Sequence, residues 1–376
     1  MDERIRKIIA QFALPGGEIE AAPYGNGHIN DTLRVIVHAD GGDRRYILQR
    51  VNSYVFPKPV EVIENIEKVT AYLREIIAQE GGDPLRETLT LVETRDGRHY
   101  TLAEDGELWR MYLFIEGTRS VDLPDTEALF ALSGRAFGRF QHQMGGFDAA
   151  RLHETIADFH NTPARYRQLE DAIARNEAGR LHQVQEEIAF CRQYEHEVHA
   201  LLDAWEAGDI PLRVTHNDTK LNNVLLDPQT GCAKCVLDLD TVMPGLSAYD
   251  FGDGVRFGAS SAAEDEKDLD QVWLKLDMYQ AFLEGYLDAC GHALTPKEIE
   301  VLPLGAKIIT AELAMRFLKD YLDGDVYFKI DYPTQNLDRC RTQLKLVADM
   351  EAKWPEMQRI LHETAAVRCA QPTTPQ

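Results

Sequence analysis

A chain of 376 residues with a formal charge of −22 and a pI near 4.9 is too long for one ordinary core and too acidic for a phosphate-backbone partner. The composition therefore points to about two lobes and away from nucleic acid. No apolar run reaches membrane-spanning length and no basic-then-apolar segment opens the sequence, so it reads as cytoplasmic with no membrane role. The six cysteines, Cys191, Cys232, Cys235, Cys290, Cys340 and Cys369, are too scattered for a disulfide scaffold. Cys232-x-x-Cys235 lacks a second pair, and an offset of three on a strand sends its side chains to opposite faces, against a metal or redox site.

From Asp2 to Phe12, charged and apolar residues alternate at helical spacing. Gly25-Asn26-Gly27-His28-Ile29-Asn30-Asp31-Thr32 follows and leads into the strand composition of Leu33 to Val37. Strand, glycine loop and strand are expected, with Gly25 and Gly27 letting backbone N–H groups approach phosphate oxygens, although G-x-G alone also marks a plain hairpin turn. Asp40-Gly41-Gly42-Asp43 reads as a turn and Arg45 to Val51 as a strand. Val62, Ile63, Ile66, Val69, Leu73, Ile76 and Ile77 make Val60 to Gln79 an amphipathic helix, ended by Gly81-Gly82-Asp83-Pro84. Its Glu61, Glu64 and Glu67 are candidates to pair with a strand cation, against the commoner outcome of solvated charges. Thr88 to Glu93, the Arg95-Asp96-Gly97-Arg98 turn and His99 to Ala103 read as a hairpin, and Leu108 to Ile115 completes a small antiparallel sheet. At Glu116-Gly117-Thr118 strands give way to helices, so the expected lobes are 1–115 and 116–366, with 367–376 a flexible tail. Helical periodicity runs through Asp125 to Gln143 and Tyr166 to Trp205; His196-x-x-His199 reads as a polar helix face rather than a metal site.

The run from Val214 to Asp240 carries the chemistry. Val224-Leu225-Leu226, the breaker Asp227-Pro228-Gln229-Thr230-Gly231 and Val236-Leu237 form a hairpin with polar groups at both open ends. His216, Asp218 and Asn223 precede it; Asp238 and Asp240 close it. Phosphoryl transfer demands positioning and charge neutralisation, which is what this inventory supplies. Asp218 suits the base that takes the hydroxyl proton, and Asn223 and Asp238 suit the oxygen ligands of Mg2+. The spacing Asp218-x4-Asn223 is that of the kinase catalytic loop. Asp240 would share the face of Asp238 if the strand continued, there to ligate metal or contact substrate, with surface solvation the competing reading. In Asp250-Phe251-Gly252 the aspartate follows a Met-Pro-Gly turn and enters a helix, so the metal role goes to Asp238. Leu269 to about Leu361 is helical, with Glu312 and Arg316 the charged residues of an apolar stretch.

His216-x-Asp218-x4-Asn223 followed by Leu237-Asp238-Leu239-Asp240 resembles the aminoglycoside phosphotransferase and choline kinase superfamily. Gly27 to Thr32, Tyr46 to Asn52, His216 to Leu226, Asp238 to Pro244 and Asp250 to Phe257 together resemble N-acetylhexosamine 1-kinases. The resemblance implies an α/β (α+β), two-lobed protein-kinase-like fold with a small antiparallel-sheet N-lobe and a mainly helical C-lobe. It implies ATP and Mg2+ as cofactors and a small-molecule sugar as partner, phosphorylated at its C1 hydroxyl. Asp250, with His216, would support the catalytic loop, and Met111, Phe114 and Ile115 would line the base pocket while also serving as sheet core. His28, Asn30, Arg316 and Tyr327 would contact the sugar. The family's strand lysine is missing: Gln49 or Arg50 stands there, and only one of them can face inward. Another acceptor (an aminoglycoside, choline, homoserine or another sugar) and a non-catalytic pseudokinase are the alternatives.

Overall fold

The computed structural model describes residues 2–25 and 30–369. Gly27 and His28, and 370–376 of the expected tail, lie outside the described residues. The chain divides into two compact units. The first comprises Met1–Arg119, Ala150–Ala157 and Leu225–Met243; the second comprises Ser120–Ala149, Asp158–Val224 and Pro244–Gln376.

The chain begins with α1 (Glu3–Ile9), β1 (Glu18–Pro23), β2 (Asp31–Ala39), β3 (Gly42–Arg50), α2 (Pro59–Gln79), α3 (Pro84–Glu87), β4 (Thr101–Leu102) and β5 (Leu108–Leu113). The helices α4 (Glu127–Gln143), α5 (Thr162–Arg175), α6 (Gln185–Gln193) and α7 (Ala200–Glu206) follow. Next come β6 (Arg213–Thr215), β7 (Val224–Leu226), β8 (Ala233–Val236) and β9 (Met243–Gly245). The chain finishes with α8 (Ser247–Gly258), α9 (Leu276–Cys290), α10 (Pro296–Glu300), α11 (Leu302–Asp323), α12 (Gln335–Ala352) and α13 (Trp354–Arg368).

In the first unit a five-stranded antiparallel sheet has the order β1-β2-β3-β5-β4. The turn before β3 closes with Ala39 opposite Gly42, whose φ of 102° suits glycine. That register sets Leu33 opposite Leu48 and Val35 opposite Tyr46. Val35, Val37, Tyr46, Leu48, Trp109 and Met111 consequently bury one face against Ile8, Ile9 and Phe12 from the α1 segment. Alternation puts Thr32, Arg34, Ile47, Gln49, Arg110 and Tyr112 on the opposite face. Pro59 starts α2, and its apolar stripe Val62, Ile63, Ile66, Val69, Leu73 and Ile77 is buried. The expected strand over Thr88 to Glu93 is a correction. Asp83 caps α3, and the following residues join β5 only through Val92 N to Met111 O, Leu113 N to Thr90 O and an isolated Leu91 to Tyr112 bridge. The Arg95 to Arg98 turn is present, with Gly97 at φ 81°.

The second unit is helical. Its α8 and α11 touch backbone to backbone at Gly252 and Gly305: a Cβ on Gly252 would lie 2.5 Å from Gly305 O, and one on Gly305 2.2 Å from Ala248 O. Glu298 braces this region. It accepts from Arg213 Nε and Nη2 at 2.5 and 2.7 Å and from Ser247 Oγ at 3.0 Å, and it completes a capping box with Thr295. The charged connection near Glu264 is held in place, because Glu264 accepts from Arg256 at 2.9 Å and Asp265 from Gln335 at 2.8 Å.

Candidate active site

The catalytic-loop candidate leaves β6 with Asn217 at φ 64°. Asp250, in the first turn of α8, accepts from His216 N at 2.9 Å, Asn217 N at 2.7 Å and Gln141 Nε2 at 2.8 Å. Asp253 accepts from Thr219 N at 2.8 Å, and the Thr219 hydroxyl donates to Asp250 O at 2.6 Å. One helical face thus clamps the loop backbone by its N–H groups. His216 is fully buried, its ring edge-on to Phe137 and Phe140. Burial pushes the Asp250 carboxyl up, with the His216 ring and the loop N–H groups opposing it. For Asp253 burial acts the same way, but Arg256 and Lys220 outweigh it and hold the carboxyl below its ordinary range.

Asp218 is held on both sides. Asn223 Nδ2 donates to Asp218 Oδ2 at 3.0 Å and to Asp218 O at 2.9 Å, and Lys220 Nζ lies 2.8 Å from Asp218 Oδ1. The Asp218 charge raises the Lys220 ammonium well above its ordinary value against the opposing effect of burial. Lys220 is a residue the sequence reading missed; its signal is a lysine two positions after the candidate base. With its nitrogen committed to Asp218, Asn223 keeps Oδ1 as the atom for a hard cation.

In the first unit, β7 and β8 pair as the expected hairpin, its turn closed by Asp227 Oδ1 accepting from Gln229 N and Thr230 N. The strand does not continue to Asp240, which corrects the expectation of a shared face. Asp238 takes φ 54°, the chain enters a single 3-10 turn over Leu239–Thr241, and Asp240 is 3% exposed rather than solvated. Asp240 Oδ1 meets Arg110 Nη1 at 2.5 Å, and its Oδ2 accepts from Asn30 Nδ2 at 2.7 Å. Asn30 Oδ1 in turn accepts from Asn52 N at 3.0 Å. The polar groups of Asn30 and Asp240, both expected on the sugar, are thus turned to each other and to their neighbours.

Gln49, not Arg50, shares the face of Arg110: its Oε1 accepts from Arg110 Nε and Nη2 at 3.2 and 2.8 Å, and its Nε2 donates to Thr32 Oγ1 at 3.1 Å. Arg50 pairs with Asp31 and Glu107. The acids of α2 go elsewhere, Glu61 to Lys58, Glu64 to His153 and Glu67 to His99, while the buried Asn65 donates to His153 O and Val242 O. Arg110 also escaped the sequence reading, although a lone arginine within Leu108-Trp109-Arg110-Met111-Tyr112 was a visible signal. Burial opposes its charge, but Asp240 outweighs this and keeps it charged. The Met111 side chain is in the α1-side core, so Tyr112 takes the other face in its place. Phe114 meets Tyr24 edge-on at 5.8 Å, Ile115 is buried, and Gly25 sits at φ 79° beside Tyr24.

A cationic cluster occupies the second unit. The Arg316 guanidinium lies 5.2 Å from the Phe159 ring centre and 5.7 Å from that of Phe328, which packs on Tyr327. Arg165 donates to Phe159 O, and burial followed by the Arg316 charge lowers its pKa. Glu312 accepts from His160 Nδ1 at 2.9 Å and Thr162 Oγ1 at 2.6 Å. The His160 ring packs 5.1 Å from Tyr249, the residue before Asp250, so the cluster adjoins the helix that clamps the loop.

The family model described as "Phosphotransferase enzyme family" (APH) matches residues 20–286. Among solved structures, the chain is similar to a microcompartment-associated aminopropanol kinase, with 17% identity, a TM-score of 0.64, and coverage of 94% of this chain and 98% of that one. It is also similar to an aminoglycoside phosphotransferase from Alicyclobacillus acidocaldarius, with 14% identity, a TM-score of 0.56, and coverage of 96% and 95%. The GDP complex of aminoglycoside 2'-phosphotransferase-IIIa is similar at 13% identity and a TM-score of 0.53, with coverage of 91% and 99%. Identities this low show the fold, a protein-kinase-like one with a five-stranded antiparallel sheet followed by a mainly helical region. With the family model spanning well over half of its length, the chain belongs to the phosphotransferase enzyme family, APH.

Proposed function

We propose that this phosphotransferase moves the γ-phosphoryl group of ATP to the anomeric C1 hydroxyl of an N-acetylhexosamine, giving the sugar 1-phosphate and ADP. The observation that carries the chemistry is the clamped loop, which holds Asp218 between Asn223 and Lys220. Asp218 orients the C1 hydroxyl and takes its proton as the C1 oxygen–phosphorus bond forms and the bond from phosphorus to ADP breaks. Lys220 sits where it neutralises charge gathering on the transferring group. Asn223 and Asp238 supply an amide and a carboxylate oxygen, the hard donors that Mg2+ takes when phosphates complete its shell. Bound there, the ion would neutralise the phosphate oxygens. Gly25 covers the phosphates, and Phe114 and Ile115 border the base.

Arg165 and Arg316 support the reading of the acceptor. The similar structures carry names of amine-bearing acceptors, aminopropanol and aminoglycosides. Here the faces of Phe159 and Phe328 are taken by the Arg316 guanidinium, with Arg165 close enough to feel its charge. Such a cluster repels an ammonium and offers donors to hydroxyl and acetamide oxygens. With Mg·ATP and a panel of acceptors, ADP release is expected with N-acetylglucosamine or N-acetylgalactosamine, and phosphorus NMR should show a phosphomonoester on C1. Turnover confined to amino alcohols or aminoglycosides would overturn the acceptor, and no turnover with any acceptor would favour the pseudokinase.

A further inference from the structure

Arg50 of β3 pairs with Asp31 and Glu107, and the cation beside Gln49 is Arg110 of β5, cross-strand from it. Arg110 is 1% exposed, and a guanidinium so buried survives only with its donors matched. Its planar fork reaches two ways, through Nε and Nη2 to Gln49 and through Nη1 to Asp240. Asp240 lies in the single 3-10 turn that follows Asp238, so the fork bears on the short backbone segment that carries both acids. The second Asp240 oxygen holds Asn30 at the exit of the glycine loop, and Gln49 holds Thr32 at the start of β2. A single cation therefore ties the glycine-loop exit, β2, β3 and the acidic end of the hairpin. In other kinases a strand lysine and a helix glutamate share the task of placing phosphates; here α2 presents the neutral Asn65, bonded to Val242 O just past the same turn.

We propose that Arg110 is a positioning residue for phosphoryl transfer, acting through Asp240 to set Asp238 and the glycine-loop exit for the Mg·nucleotide. This rests on the kinase reading above. Arg110→Lys keeps a charge but cannot bridge Gln49 and Asp240. In the full chain, Mg·ADP binding by calorimetry over a Mg2+ series is expected to need about 10- to 100-fold more Mg2+, as for lost partners of metal ligands. The KM for the acceptor should stay unchanged. A folded Arg110→Lys with the Mg2+ dependence of the unaltered chain would overturn the proposal. The paired variant Arg110→Met with Asp240→Leu removes both charges and keeps the site apolar, so it tests the same point without a stranded ion. It is expected to melt near the unaltered chain yet show the same Mg2+ shift, and unshifted binding would overturn the proposal. If the unaltered chain binds no Mg·ADP, the kinase reading fails; if it binds and the variants match it, the role of Arg110 alone fails.

Discussion

Two buried or half-buried cations, Lys220 and Arg110, do different work although each meets an aspartate. Lys220 lies on the carboxylate expected to receive a proton, so its loss should touch the chemical step. Lys220→Met is expected to lower kcat by about 10²-fold, in line with removal of one charge-stabilising donor, while the KM for the acceptor holds. Steady-state kinetics with ADP detection checks this, and a raised KM with intact kcat would place Lys220 in ground-state binding instead. Arg110 is 1% exposed and Asp240 3% exposed, so removing one partner alone leaves a buried charge at a cost of about 3–5 kcal/mol. The contact of Asn223 with Asp218 was legible because their spacing is local. The Arg110 pair was not, because its acid comes from a distant segment. Asp240 misled for a physical reason: Val236-Leu237-Asp238-Leu239-Asp240 alternates as a strand does, but the left-handed backbone at Asp238 ends the alternation.

Among the elements, β2, β3 and α2 were readable from strong periodicity joined to glycine turns. The failure over Thr88 to Glu93 came from reading Asp83-Pro84 as a stop, when it is also the cap and first turn of a new helix, α3. On α8 and α11, contact at Gly252 and Gly305 lets Asp250 and Asp253 stand under the loop. Glu298 gives this assembly a pH signature. Although burial opposes its charge, Arg213, the Thr295 N–H and Ser247 hold its carboxyl below the ordinary 4.5. The unfolded chain therefore takes up the proton first, so the stabilisation is complete above about pH 4.5 and is lost as pH falls through the lower folded value. Glu298→Gln is expected to cost about 1.5–3 kcal/mol at pH 7, and thermal melts should show the gap closing in acid. A gap that persists unchanged at low pH would remove the ionised carboxylate from the account.

For the whole molecule, the charge of −22 sets a long-range field that the proposed cosubstrate Mg·ATP, itself anionic, would have to cross. Screening shortens from about 30 Å at 0.01 M salt to about 8 Å at 0.15 M. The kcat/KM for Mg·ATP is therefore expected to rise over that range while that for a neutral sugar stays flat; a fall for the nucleotide would reveal a cationic funnel strong enough to dominate the overall charge. Summed residue types give this acidity, whereas the change from strands to helices was read from the order of periodic segments, at Glu116-Gly117-Thr118.

Asn65 ties α2 to Val242 O and His153 O with an uncharged amide. An amide has no charge to titrate or to screen, so this latch should hold across the pH and salt range in which the rest of the chain stays folded.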